Sequence, residues 1–217
     1  MANLTALLAS RRATFGDLAF AGGLAFLAGA TDFAGFSRLG NLFVSFMSGN
    51  TTMLGIAIGG GDGARAALIL GIIAQFVLGA ALGAALERAS GRRHPSVVLC
   101  VVLVLLATPL LLPHWTVSAL VVAMGALNAA MSRVGAATVS LTYVSGTLVK
   151  FGQGLGRVLS GAPVEWTWIW QLPMWMSLLA GVATAKLAQP ILGAGALWPL
   201  PVVTLLLLLV ARRRERR

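Results

Sequence analysis

Apolar residues in this chain run in long blocks rather than alternating with polar ones. Blocks can be read at 15–37, 42–60, 66–86, 95–112, 115–131, 137–156, 168–188 and 196–211. A helix needs about 20 such residues to cross the hydrocarbon core of a bilayer. Each block is therefore a candidate span, although several are a little short. Arg11 and Arg12 stand ahead of the first block, whose Ala28-Gly29-Ala30 superficially resembles the cleavage region of a secretory signal. The block opens with Asp17 and runs on to Phe36, so an uncleaved first transmembrane helix is the expected reading.

Two blocks differ in kind. The first opens with Leu42-Phe43-Val44-Ser45-Phe46, breaks at Ser48-Gly49-Asn50 and continues from Thr51. The second opens with Thr138-Val139-Ser140-Leu141-Thr142-Tyr143-Val144, breaks at Ser145-Gly146-Thr147 and continues through Leu148. β-Branched and aromatic openings predict extended backbone, glycine permits a sharp turn, and Ser, Asn or Thr suits the start of a helix. Each block is thus expected to be an extended piece, a turn and a half-helix. The two also share their surroundings: Ser37-Arg38-Leu39-Gly40 matches Ser132-Arg133-Val134-Gly135, and Ala30-Thr31-Asp32 matches Ala126-Leu127-Asn128, at spacings of 95–97 residues. This order predicts one membrane domain over 1–217 built as a tandem duplication, with halves at 15–112 and 115–211.

Composition excludes the alternatives to a membrane protein. The chain is 58% hydrophobic and 10% charged, whereas a soluble domain carries about 25% charged residues in all. The net charge of +10 sits at the ends of apolar blocks, which points to anionic lipid headgroups rather than nucleic acid. The single cysteine, Cys100, can form no intramolecular disulfide.

Locating the sixteen Lys and Arg residues gives a topology. With eight crossings and the N-terminus inside, nine lie inside, six outside, and Lys150 is left in the membrane. If the two broken blocks enter and return on one side, thirteen lie inside and only Arg38, Arg65 and Lys186 outside. The positive-inside rule selects the second arrangement. The expected fold is an all-α polytopic membrane protein with six transmembrane helices and two re-entrant segments, both termini being cytoplasmic. Three crossings per half make the repeat inverted, so the re-entrant pieces would enter from opposite faces and meet at a shared central site.

Asp32 lies about 22 Å along the first helix, at membrane depth. An ionisable group there points to a functional site, the structural alternative being a cap on the next turn or a pair with Arg38. Asn128 is its uncharged counterpart. Ser48, Gly49, Asn50 and Thr51, with Ser145, Gly146 and Thr147, stand where two half-helix N-termini would offer free N–H groups to a solute; equally, they could only cap their own helices. Arg38 and Arg133 read as headgroup anchors or loop clamps. Gly71, Gln75, Gly79 and Gly83, like Ser177, Gly181 and Ala185, form small faces for close packing within the protomer or in a homodimer. His94 and His114 lack metal-ligand spacing, so neither metal nor other cofactor is expected. No nucleophile, base or phosphate loop is evident, so an enzyme is not expected either.

The stretches Phe43-Val44-Ser45-Phe46-Met47-Ser48-Gly49-Asn50-Thr51, with Asp32 before them, and Met124-Gly125-Ala126-Leu127-Asn128 through Thr142-Tyr143-Val144-Ser145-Gly146-Thr147 resemble the two signatures of the YoaK family of small bacterial membrane proteins. The likeness runs from about residue 17 to 210; Ser48 and Ser145 stand where that family usually has Thr. It implies an inner-membrane protein of about six spans and lends no substrate. The expected function is a transporter or channel-like facilitator for a small polar solute or ion. The alternative is a membrane scaffold or sensor that binds a partner through its helix faces.

Overall fold

The computed structural model describes residues 15–130, 133–134, 137–138, 144–162, 166–193 and 197–216. Its α-helices are α1 (Phe15–Phe36), α2 (Met47–Gly59), α3 (Gly63–Ser90), α4 (His94–Leu111), α5 (Thr116–Ala130), α6 (Val144–Leu159), α7 (Gln171–Leu192) and α8 (Pro199–Glu215). Arg133–Val134 and Ala137–Thr138 form a two-residue antiparallel pair. Of the extended piece expected before the second break, Val139 to Tyr143 lie outside the described residues. The architecture is helical, and α1 and α3 are long and apolar enough to cross a membrane.

Local chemistry sets the boundaries. Asp17 stands in the first turn of α1, where a carboxylate opposes the positive end of the helix. After Phe36 the chain turns through Gly40 (φ 59°) and Asn41 (φ 70°), a left-handed pair that glycine and asparagine tolerate best. Asp62 caps α3 by accepting from the Arg65 amide at 2.9 Å. Pro95 and Pro199 stand at the starts of α4 and α8, where a missing N–H costs nothing.

The core is centred on α1, α4 and α5, with Leu24, Leu27, Leu99, Leu106, Leu120, Met124 and Leu127 essentially inaccessible, and takes in Ile69 and Ile72 of α3 and Leu200 and Leu208 of α8. Around it, α3, α7 and α8 turn Leu70, Leu78, Leu187, Ile191 and Leu206 outward. An apolar exterior of this kind has lipid as its natural solvent.

Two helix pairs cross at glycines. A Cβ on Gly29 would lie 2.2 Å from the Leu178 carbonyl oxygen, and one on Gly181 2.1 Å from that of Phe26. Likewise a Cβ on Gly125 would lie 2.3 Å from the Phe76 carbonyl oxygen, and one on Gly79 2.3 Å from that of Val122. So α1 and α7 run parallel in backbone contact, and so do α3 and α5. The small faces at Gly79, Gly83 and Gly181 are therefore used inside the protomer, while a Cβ on Gly71 would meet nothing.

The remaining packing has the same regularity. Exchanging α1, α2, α3 and α4 for α5, α6, α7 and α8 turns α1·α7 into α5·α3, α1·α8 into α5·α4 and α2·α3 into α6·α7, and it leaves α1·α5 and α4·α8 unchanged. Each of these pairs is packed; α3 against α4 is an additional contact.

Side-chain bonds at the helix ends fix directions. Glu215 at the end of α8 accepts from the Ser96 amide at 3.0 Å and its hydroxyl at 2.7 Å, at the start of α4. Arg214 pairs with Asp17 and donates to the Gly16 carbonyl at 3.1 Å. The starts of α1 and α4 thus share one end of the bundle with the end of α8, and α4 and α8 are antiparallel. Arg88, Arg93, Arg212, Arg213 and Arg216 belong to the same basic end by their places in the chain. At the other end the Arg65 guanidinium donates to the Gly40 carbonyl at 2.6 Å, and Lys186 lies over the Phe33 ring at 5.7 Å. The segment 41–62 therefore leaves and returns at the end away from the basic cluster. Because α5 parallels α3 and α7 parallels α1, the segment between α5 and α7 leaves and returns at the basic end.

Candidate functional site

Asp32 sits one turn before the end of α1 and accepts three hydrogen bonds from the stretch that follows the Gly40-Asn41 turn. Its Oδ1 takes the amides of Val44 at 3.0 Å and Ser45 at 2.8 Å, and its Oδ2 takes the Ser45 hydroxyl at 2.5 Å. Asn50 completes the support from the other side. Its Oδ1 accepts from the Phe43 amide at 2.9 Å and its Nδ2 donates to the Phe43 carbonyl at 2.7 Å. Asn50 and Ser45 are buried.

Leu42 to Phe46 is therefore neither helix nor strand. Four of its backbone groups, the Phe43 N–H and C=O and the N–H groups of Val44 and Ser45, are taken up by two side chains instead of a neighbouring strand, where leaving them buried and unpaired would be costly. The expected extended piece is thus non-helical and has no partner strand; a carboxylate and an amide stand in for the ladder.

The break also lies earlier than expected. Helix α2 begins at Met47, so Ser48, Gly49 and Asn50 occupy its first turn, and the sharp turn is at Gly40 and Asn41. Gly49 serves packing: a Cβ there would lie 2.5 Å from the Phe46 ring and 3.3 Å from that of Phe43. Those rings stack edge to face at 5.3 Å. Ser48 and Thr51 are exposed, and the Thr51 hydroxyl donates back to the Met47 carbonyl at 2.8 Å.

In the other half α6 begins at Val144, so Ser145, Gly146 and Thr147 again fall in a first turn, with Ser145 exposed, Gly146 buried and Thr147 between. Asn128 Nδ2 donates to the Met124 carbonyl at 2.8 Å within α5. Helix α2 packs on α3 and α6 on α7. Asp32 and Asn50 are thus brought together on one loop, and the two half-helix starts lie on separate helix pairs.

Arg38 caps the end of α1, its guanidinium donating to the Ala34 carbonyl at 3.0 Å; partial burial draws its pKa below the usual arginine value. Trp168 docks α6, since a Cβ on Gly154 would lie 2.1 Å from its ring and Phe151 stacks on it at 5.2 Å. His114 lies against Trp115 at 5.8 Å. Among the described residues no group of three or more His, Cys, Asp or Glu side chains could hold a metal ion.

Ser45 and the Gly40-Asn41 turn are not among the site residues expected from the sequence. The signals were present: a hydroxyl inside an apolar run, and a dipeptide that favours positive φ.

Replacing Asn50 by Ala removes both bonds to Phe43 and leaves a buried N–H and C=O unpaired. We expect a loss of about 2–4 kcal/mol, read as a lowered unfolding temperature in detergent, and an unchanged temperature would refute the clamp.

A family of proteins of unknown function, DUF1275, matches residues 20–210. The chain belongs to the DUF1275 family. It is 38% identical over 214 residues to UPF0700 transmembrane protein RA0705 of Rhizobium meliloti (strain 1021), covering 97% of this chain and 92% of that relative. No solved structure matches it. The likeness to YoaK-type proteins thus holds at the level of the DUF1275 family, and this member is a membrane protein.

Proposed function

We propose that this DUF1275 protein is a transporter or channel-like facilitator for a small polar solute or ion, not an enzyme, with six spans in a bacterial inner membrane and both termini cytoplasmic. The observation that carries this is the unwound stretch Leu42–Phe46, tied to Asp32 within a helix long enough to span. Unwound backbone at membrane depth is tolerated where protein buries it or where it lines a polar path. The antiparallel run of α4 and α8 supports six crossings, because with eight the two would be parallel. The segments that leave and return at opposite ends, and the packing that maps onto itself, support an inverted duplication with re-entrant segments, an arrangement that recurs among transporters. The basic end then faces the cytoplasm and its anionic headgroups. Asp32 and Asn50 hold the loop that borders the path, and the exposed Ser48, Thr51 and Ser145, with Gly49, Asn128, Gly146 and Thr147, mark its two mouths.

Two experiments test the proposal. Reporter fusions after Arg93 and after Arg217 should both read cytoplasmic, and a periplasmic signal at Arg93 would sink the six-span arrangement. In proteoliposomes loaded in turn with cations, anions and neutral solutes, flux above empty liposomes should appear for at least one class and fall at least several-fold in Asp32→Asn and Asn50→Ala. Flux that both variants leave unchanged rules out this site.

A further inference from the structure

The buried polar side chains of the membrane interior are almost all spent on the protein's own backbone. Thr31 donates to the Leu27 carbonyl at 2.7 Å and Thr204 to the Leu200 carbonyl at 2.8 Å, while Ser45, Asp32 and Asn50 serve the loop. Gln75 differs. Its Oε1 is buried and has no hydrogen-bond partner among the described residues. It stands 12 residues into the 28-residue α3, far from either end, where an unpaired carbonyl in apolar surroundings is costly.

Its place in the packing says where a solute would come from. The glycine contacts put Gly79 against Val122 and Gly181 against Phe26, with Phe76 and Leu178 pressed on Gly125 and Gly29. In this register Gln75 corresponds to Ser177, each one turn before its glycine crossing. Ser177 lines a groove of about 450 Å³ between α1 and α7, together with Gly22, Phe26, Trp170 and Pro173. There its hydroxyl donates to the Pro173 carbonyl at 2.8 Å. On the α3 side, a Cβ on Gly71, one turn before Gln75, would meet no atom within 4 Å, whereas Gly79, one turn after, is closed against backbone. The α3 backbone is thus open at Gly71 and closed at Gly79, with Gln75 between them.

We propose that Gln75 Oε1 is the acceptor of a binding site for a small neutral hydrogen-bond donor of the amide or polyol class, entered past the open space at Gly71. Neutrality follows from the surroundings. Helix α5 carries no charged residue, and α3 has its charges only at Arg65, Glu87 and Arg88 near its ends. An ion at Gln75 would have no counter-charge. The inference rests on the transport reading and narrows it to a substrate class.

The test uses the full-length protein in proteoliposomes, with stopped-flow light scattering under gradients of formamide, acetamide and glycerol, and with ammonium chloride and potassium chloride as ionic controls. The parent should raise permeability to at least one neutral probe above empty liposomes. Gln75→Leu should lower that rate about tenfold, the worth of one hydrogen bond, and Gln75→Glu should also lower it. The unfolding temperature of Gln75→Leu should be equal to or above the parent's, because no protein partner is lost. A clear fall in that temperature would mean that the oxygen is already bonded and would overturn the site. Neutral-solute permeability unchanged in Gln75→Leu overturns Gln75 and leaves the transport reading standing, as does flux confined to the ions. Absence of flux for every probe overturns both.

Discussion

Asp32→Ala should unfold this protein's first loop and cost roughly 3–5 kcal/mol, because the carboxylate's three donors would be left without an acceptor. Two are backbone amides, of Val44 and Ser45, and the third is the buried Ser45 hydroxyl. None can reach water without tearing Val44 and Leu42, both fully buried, out of the core. Asp32→Asn should be far milder, about 1 kcal/mol. The amide oxygen can still take both backbone donors, and the Ser45 hydroxyl can turn to accept from the new NH₂. Thermal unfolding in detergent separates the two variants. Equal losses would mean that the negative charge itself matters to folding; no loss in Asp32→Ala would mean that the loop is held elsewhere. The pair also sharpens the flux experiment, since Asp32→Asn keeps the loop and removes the ionisable group.

Asp32 was legible from the sequence as an anomaly and illegible as a strut. Its cost in an apolar helix is a one-dimensional fact, available once residues 15–37 are read as a span. That its partners are Val44 and Ser45 depends on the turn at Gly40 and Asn41 folding the chain back along α1, which is a three-dimensional fact. The same division explains the helix starts. Hydroxyl and amide residues at Ser48–Asn50 look like N-caps because N-caps use such residues. The cap position falls on Phe46, however, whose neighbours are already satisfied by Asp32 and Asn50, so α2 could begin a turn earlier. Charge placement carried more than residue chemistry did. Arg88, Arg93 and Arg212 to Arg216 are distant in sequence, but each follows or precedes an apolar block, and that alone groups them at one end. Gln75 was visible only as a member of a small-residue face. Its unpaired oxygen could not be read without knowing how α5 packs against this face.

Gly125→Leu is expected to have the largest effect in the molecule. Gly125 has its α-carbon against α3, and a Cβ would stand 2.3 Å from the Phe76 carbonyl oxygen and 2.9 Å from the Ala80 amide nitrogen. These are backbone atoms of a helix and cannot rotate aside. The alternative is for α3 and α5 to move apart, and that contact is locked from the other side by Gly79 on Val122 and Gly83 on Ala126. Helix association in a bilayer has no hydrophobic drive of its own and depends on such close packing, so separation by even an ångström forfeits contacts along the interface. Gly125→Ala should already cost about 1–3 kcal/mol as overpacking. Gly125→Leu should exceed that and abolish accumulation of folded protein, seen as loss of the monodisperse peak in size-exclusion chromatography. Gly29→Leu should behave in the same way, because its Cβ would meet the Leu178 carbonyl oxygen at 2.2 Å. Gly71→Ala on the same face of α3 is the control. Its Cβ meets nothing, and a helical alanine is favoured over glycine by about 1 kcal/mol, so this variant should be neutral or slightly more stable. If Gly71→Ala and Gly125→Ala destabilise equally, the crossing is not where the glycines put it, and the open space at Gly71 that gives access to Gln75 falls with it.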